Sequence, residues 1–367
     1  MSIKIIQPLL AQYRINFFDR INNEINRSGN IAEIYFSSSK RTKSNIFAKN
    51  NNYKWAFFLG ETIDIFNCFF WQRGINKINI SNKDIIVISG NFRYLSNFFL
   101  IFKARFHGAK IIWWSQFKVS SYNLTLFIKL ILFQFFDGLI FYTYREKILY
   151  EKLCIYKLKK PILGINNGID NEIIKQFREI YSPAKRKFRV LYIGRITKKS
   201  NFQILIKAFK DIKLKQIKLD VIGNKDFENS DENQENFLQS DNITFHGEII
   251  DEKEIAKIAN KCRLFVYGGS VGLSLIHAMN YGLPCIVHNQ KSKHMPEIAA
   301  FEKNKTGQTF AYNNANDLAL IISNLINDED KLKKYSNNCL NISSNKFNTQ
   351  NMAKNFLRFI KLFQNYI

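Results

Sequence analysis

The sequence predicts an α/β protein of two domains, each built on a parallel sheet. Three observations carry that expectation. The chain of 367 residues is longer than one hydrophobic core usually serves. Short apolar runs alternate with amphipathic stretches of helix length, the pattern of βα units. That alternation comes in two series separated by a polar, charged stretch, and each series implies a sheet covered by helices on both faces.

In the first series, strands are expected at 3–6, 31–36, 85–89, 111–114 and 139–142, with helices such as 15–26 between them. The second series opens at 189–193 and continues through 219–222, 243–245, 264–267 and 284–287. Its helices, 201–210, 252–261, 273–280 and 318–326, carry apolar residues at helical spacing. Between the series, 171–187 is polar and contains Pro183, which reads as a linker. The expected organisation is a first domain at 1–170, the linker, a second domain at 188–348, and a terminal helix at 349–367. Phe356, Phe359, Ile360 and Phe363 form one stripe of that helix, which must pack on something, with the first domain as the candidate partner.

Composition narrows the function classes. Hydrophobic residues at 46% exclude a wholly disordered chain. A formal charge of +24 points to anionic partners: nucleic acid, a phospholipid surface or phosphate-bearing ligands. The five scattered cysteines lack any CxxC spacing and suit a reducing, cytoplasmic compartment. The start runs from Met1 into an apolar strand, without the features of a signal peptide. The most membrane-like window, 124–142, is interrupted by Lys129, Gln134, Asp137 and Gly138. It reads as a buried helix and strand, with a membrane-dipping segment as the alternative.

Ligands of open parallel sheets bind at the carboxyl ends of strands, where loops and helix N-termini gather. This rule selects Tyr13, Arg14, Asn91 and Gln116 in the first half. In the second it selects Gly194, Arg195 and the cluster Gly268, Gly269 and Gly272. The string YGGSVGLSLIHAMNYGLPCIVHN at 267–289 carries the most chemistry. A strand ends, glycines let the backbone bend around a ligand, and a helix starts near Gly272 with unpaired N–H groups at Leu273 and Ser274 suited to a diphosphate.

That string, with VLYIGRITKKSNFQILIKAF at 190–209, resembles the donor site of glycosyltransferase family 4. PLLAQYRINFFDRI, ISGNFRYLS, KIIWWSQF, FFDGLIFYTYREK and INNGID are also similar to members that build bacterial surface polysaccharides, such as O-antigen, capsule or exopolysaccharide. The resemblance implies a GT-B fold, two Rossmann-like domains with parallel sheets facing a central cleft. It implies transfer of a sugar, with retention, from a nucleotide-sugar donor to a saccharide or lipid-linked acceptor. No metal and no cofactor beyond the donor substrate is implied. A lipid-linked acceptor and the basic charge together suggest peripheral association with the anionic inner face of the cell membrane, and no nucleic-acid partner.

By the same resemblance Arg195 binds the donor diphosphate, with a surface arginine as the bland alternative. The assisting lysine of the family falls at Ser200, so Lys199 or Lys198 is the candidate substitute. The family's paired glutamates would stand at Gly269 and His277, leaving His277 either as a ribose ligand or as a packed helical histidine. Glu297 matches a Pro-Glu turn beside the donor, while His288 and His294 read as structural. Gln116 stands where relatives often carry a histidine beside the reacting sugar, and Tyr13, Arg14 and Asn91 would face the acceptor. Two rival readings are another GT-B enzyme, such as a sugar-nucleotide epimerase or a phosphorylase, and a non-enzymatic basic protein that binds nucleic acid.

Overall fold

The computed structural model describes residues 1–39, 53–118, 124–154, 160–211, 214–224 and 241–364. They form two compact units: residues 1–167 together with the C-terminal segment from Thr349, and residues 168–348.

Unit 1 contains β1 (Ser2–Ile6), α1 (Ile15–Arg27), β2 (Ile31–Ser38), β3 (Ala56–Ile65), β4 (Phe69–Gln72) and β5 (Ile85–Ser89). After these come α2 (Leu95–Phe106), β6 (Lys110–Ser115), α3 (Leu124–Gln134), β7 (Gly138–Phe141), α4 (Tyr144–Leu153) and β8 (Ile162–Gly164). The sheet order is β4-β3-β2-β1-β5-β6-β7-β8. All pairs are parallel except β3 with β4, an antiparallel edge hairpin that alternation alone did not reveal. Central strands such as Ile85-Ile86-Val87-Ile88 are buried on both faces, as helix-covered parallel strands must be.

Unit 2 contains α5 (Asn171–Phe177), β9 (Arg189–Ile193), α6 (Phe202–Phe209), β10 (Lys218–Ile222), β11 (Ile243–Gly247) and α7 (Glu252–Ala259). It continues with β12 (Leu264–Tyr267), α8 (Leu273–Asn280), β13 (Cys285–His288), β14 (Gly307–Phe310), α9 (Ala315–Ile326) and α10 (Glu329–Lys346). Its wholly parallel sheet has the order β11-β10-β9-β12-β13-β14. The chain then returns to unit 1 as α11 (Thr349–Gln364).

The polar segment 171–187 is not a free linker. It begins with α5, capped by Asp170, whose side chain accepts from the Glu172 N–H. Arg186 is buried, donates to the carbonyls of Ala259 (3.2 Å) and Cys262 (2.9 Å), and lies over the Tyr181 ring. The Tyr181 hydroxyl in turn donates to the Arg263 carbonyl at 2.6 Å. Polar composition hid this docking because the partners are backbone carbonyls, which no side-chain pattern reports.

The 124–142 window resolves into α3 and β7. The strand is buried, but the helix is not the buried one its apolar sequence suggests, for Leu124, Phe127, Ile128 and Ile131 are exposed. Among the described residues no helix is long and apolar enough to cross a membrane.

Helix α11 packs its phenylalanine stripe on unit 1. Phe356 is fully buried, with its ring 5.8 Å from Phe17 and 6.0 Å from Trp114. At Gly138, the first residue of β7, an added Cβ would come within 2.6 Å of the Phe363 ring, so a glycine there allows the helix to settle on the sheet. Phe356→Ala is expected to cost unit 1 about 3–5 kcal/mol. Chemical denaturation should show an earlier transition for that unit alone, and an unchanged midpoint would contradict this account of α11.

Candidate functional site

In unit 2 the strand order places β9 beside both β10 and β12, so the connections leave in opposite directions and open a crevice at the carboxyl ends of β9 and β12. The residues that follow those ends are Gly194 and Arg195 on one side and Gly268 to Gly272 on the other. Topology therefore brings together two segments that lie far apart in sequence.

The approach is close. Gly194 has φ +147°, and a Cβ there would stand 3.1 Å from the Ser274 hydroxyl oxygen and 3.2 Å from the Tyr267 ring. Its N–H donates to the Ile222 carbonyl (2.9 Å), and Ile196 N–H donates to that of Asn224 (3.1 Å), so the Arg195 turn is pinned to the end of β10. The Arg195 carbonyl accepts from the Tyr192 hydroxyl at 3.0 Å, while its side chain is exposed. Tyr192 stacks on Tyr267 with centroids 5.0 Å apart, and burial raises the pKa of both phenols, so this floor beneath the turn is uncharged.

The glycine loop sits against the turn at 199–201. A Cβ on Gly268 would meet Ile204 at 2.4 Å and the Asn201 carbonyl oxygen at 2.5 Å, and one on Gly269 would meet the Lys199 carbonyl oxygen at 2.3 Å. Ser270 N–H donates to that same carbonyl at 2.9 Å. Gly272 then caps α8 without any side-chain hydrogen bond. Buried Glu297 brings a carboxylate oxygen to within 3.5 Å of where a Gly272 Cβ would stand, at the positive end of the helix.

Ser200, expected at the donor, is instead buried in its own turn. Its hydroxyl accepts from the Thr197 N–H (3.0 Å) and donates to the Thr197 carbonyl (2.7 Å). Lys198 and Lys199 are exposed on the same short turn. The serine at position 200 thus fills an inward position, while the cations nearest in sequence stay exposed.

His277 lies one turn along α8 and is only partly exposed. Its Nε2 lies 2.8 Å from Glu252 Oε1, which also accepts from the Tyr281 hydroxyl at 2.5 Å. Burial pushes the Glu252 carboxyl up, but the adjacent His277 ring and the two hydrogen bonds outweigh it, and the pKa ends below the usual range. Sequence reasoning missed Glu252. Its only local signal is Asp251, which caps α7 by accepting from the Lys253 N–H, and that marks a helix start rather than a partner on another helix.

His288 and His294 stack with centroids 3.7 Å apart beneath the glycine loop. His294 donates through Nε2 to the His288 carbonyl (2.9 Å) and accepts the Val271 N–H at Nδ1 (3.3 Å), which ties the loop to β13. Among the described residues no group of three His, Cys, Asp or Glu side chains could hold a metal ion.

In unit 1 the strand order reverses at β1 and β5, and Gly90 and Asn91 follow β5 there. A Cβ on Gly90 would overlap the Trp113 indole at 2.3 Å. Asn91 and Tyr13 are exposed, and Gln116, after β6, is partly buried. Arg14 departs from expectation: it is only 7% exposed, lies over the rings of Trp114 (4.9 Å) and Tyr142 (5.6 Å), and donates to Asn167 Oδ1 at 3.1 Å. Its guanidinium is thus held against two rings and the Asn167 amide.

Residues 173–341 match the family model described as glycosyl transferases group 1. The chain is an enzyme of the GT-B fold whose second unit carries a glycosyl transferase domain. An uncharacterized glycosyltransferase of Methanocaldococcus jannaschii is 25% identical over 333 residues, 81% of this chain and 80% of its own length. An uncharacterized protein in the cps region of Klebsiella pneumoniae is 23% identical over 181 residues, 48% of this chain and 47% of its own. Among solved structures, Anabaena HepE in complex with UDP and glucose has the same fold, with a TM-score of 0.66 at 14% identity over 98% of this chain and 99% of its own. The match to a transferase model tells against the non-enzymatic reading of the sequence.

The histidine pair makes unit 2 sensitive to acid. Burial, with His294 and Lys293 nearby, pushes the His288 ring down to about 3, whereas an unfolded histidine titrates near 6.5. Stability is therefore intact above about pH 6.5 and declines as pH falls toward 3, with roughly 2 kcal/mol lost by pH 5 from this group. The melting temperature of His288→Gln should fall less steeply than that of the native chain between pH 7 and 5. Parallel profiles would show that His288 does not control the slope.

Proposed function

We propose that this chain is a retaining glycosyltransferase whose donor, a nucleotide sugar, binds at the crevice of unit 2 with its diphosphate on the N-terminus of α8 and Arg195. The observation that carries the reading is the abutment of Gly194 on Ser274, which sets an exposed arginine beside a helix start whose cap uses no side chain. Helix N–H groups and a guanidinium are complementary to a diphosphate in both geometry and charge.

As the bond from sugar to diphosphate breaks, negative charge grows on the leaving oxygen. Arg195, the α8 N–H groups and the cations of the 198–199 turn stabilise that charge, so electrostatic stabilisation supplies the main catalytic effect. His277, whose Nε2 is taken by Glu252, offers Nδ1 to a ribose hydroxyl. Glu252 and Tyr281 thereby act as positioning residues. Tyr13, Arg14 and Asn91 of unit 1 are assigned to a saccharide or lipid-linked acceptor, and Gln116 to the surroundings of the reacting sugar.

The setting we infer is bacterial surface-polysaccharide assembly on the inner face of the cell membrane. It is supported by the family-4 motifs of both halves and by the similarity to a protein of a cps region.

Arg195→Ala should weaken nucleotide-sugar binding at least about tenfold, with little change in melting temperature because the side chain is exposed. Full affinity in that variant would remove the diphosphate role. His277→Ala and Glu252→Gln are each expected to lower donor affinity by about threefold to tenfold. Lower stability with unchanged donor affinity would assign the pair to packing alone.

A further inference from the structure

The ends of β6 and β7 are joined by one buried carboxylate that belongs to neither strand. The two strands pair in parallel until Ser115 meets Phe141, the last residue of each. Two positions further along both, at Phe117 and Thr143, the backbone ladder has stopped and Glu146 of α4 takes its place. Its Oε1 accepts from the Phe117 N–H at 2.7 Å, while its Oε2 accepts from the Thr143 N–H at 2.9 Å and from the Thr143 hydroxyl at 3.2 Å. Glu146 is only 7% exposed, and Phe117 and Thr143 are buried with it.

Half of this arrangement is ordinary helix chemistry. Thr143 caps α4 and Glu146 is the third residue of that helix, so each side chain satisfies the other's backbone N–H in a capping box. A glutamine would close the same box, which asks for one acceptor oxygen at that position. The other half requires a carboxylate. With the box kept, a glutamine would turn its NH2 toward the Phe117 N–H and set donor against donor. What the acid supplies beyond a cap is therefore the bond to the loop after β6.

The residue held by that bond is the neighbour of Gln116. Phe117 is fixed twice, by its N–H and by its ring, which packs against Phe141 (5.5 Å), Tyr150 (5.5 Å) and Phe133 (6.0 Å). Gln116 thus stands between two fixed points, Ser115 in the ladder and Phe117 on the carboxylate, at the carboxyl edge of the sheet.

We propose that Glu146 is a positioning residue for the transfer step, which by holding the Phe117 amide sets the place of Gln116 beside the reacting sugar. The inference rests on the assignment of Gln116 made above.

Glu146→Gln is the decisive variant, because it keeps the capping box and removes the bond to Phe117. Amide hydrogen exchange of the full chain, which needs no substrate, should run at least about tenfold faster at Phe117 while the Glu146 amide keeps its protection. Turnover is followed as nucleoside diphosphate released from a panel of UDP-, GDP- and ADP-activated hexoses. The rate should fall at least about tenfold with the donor KM unchanged, since the proposed donor crevice lies in unit 2. Gln116→Ala should slow turnover by a similar factor, and the double variant should be no slower than Gln116→Ala alone, because residues that act one through the other do not add. Additive losses in the double variant, an unchanged Phe117 amide, or full turnover of Glu146→Gln beside a slow Gln116→Ala would overturn this inference alone. Full turnover of Gln116→Ala, or a native chain inactive on the whole panel, would overturn the functional reading and the inference with it.

Discussion

The proposed donor site depends on one close backbone approach, that of the 268–272 loop to the 199–201 turn. No side chain larger than hydrogen fits at positions 268 and 269, because the space is filled by Ile204 and by the carbonyls of Asn201 and Lys199. The Ser270 N–H to Lys199 carbonyl bond locks the contact. Everything useful follows from it: α8 begins where it does, its N-terminus points along the edge of β9 and β12, and Arg195 stands beside it. The histidine pair beneath the loop, joined to Val271 and to β13, holds the same contact from the other side.

The same frame surrounds the positions at which the second unit departs from the pattern that the sequence resembles. His277, where the resemblance would place a carboxylate, shares Glu252 of another helix with Tyr281 at the end of its own, in a three-membered hydrogen-bonded group. Ser200, where the resemblance would place a lysine, closes its own turn. In both cases the backbone frame is kept and the polar groups are redistributed over it. A preorganised frame is the more demanding requirement, since charge can be supplied from several directions but helix N–H groups only from one.

Much of the fold was legible because its signals are local. The strand 85–89, the helix 273–280 and the strand 264–267 are continuous apolar or periodic runs, and the structure keeps those bounds. The edge hairpin β3–β4 was not legible, since its apolar residues lie on an exposed edge and Phe66 and Asn67 turn with positive φ outside the usual glycine pattern. The surroundings of Arg14, Arg186 and Ser200 were not legible for a shared reason. Each is a polar residue whose partner is a ring, a carbonyl or its own turn, and sequence shows the donor but not what it finds. The exposed face of α3 misled in the opposite sense: an apolar helix is buried by default, and only the structure shows that its outer side is left uncovered.

The central claim, that the diphosphate of a nucleotide sugar rests on the start of α8 beside Arg195, is tested most directly by amide hydrogen exchange with and without a nucleoside diphosphate. The account expects slowed exchange at Gly272, Leu273 and Ser274 and around Gly194 to Lys199, with the remainder of unit 2 little changed. Binding that leaves those amides unprotected, or protects a different set of strand ends, would contradict it.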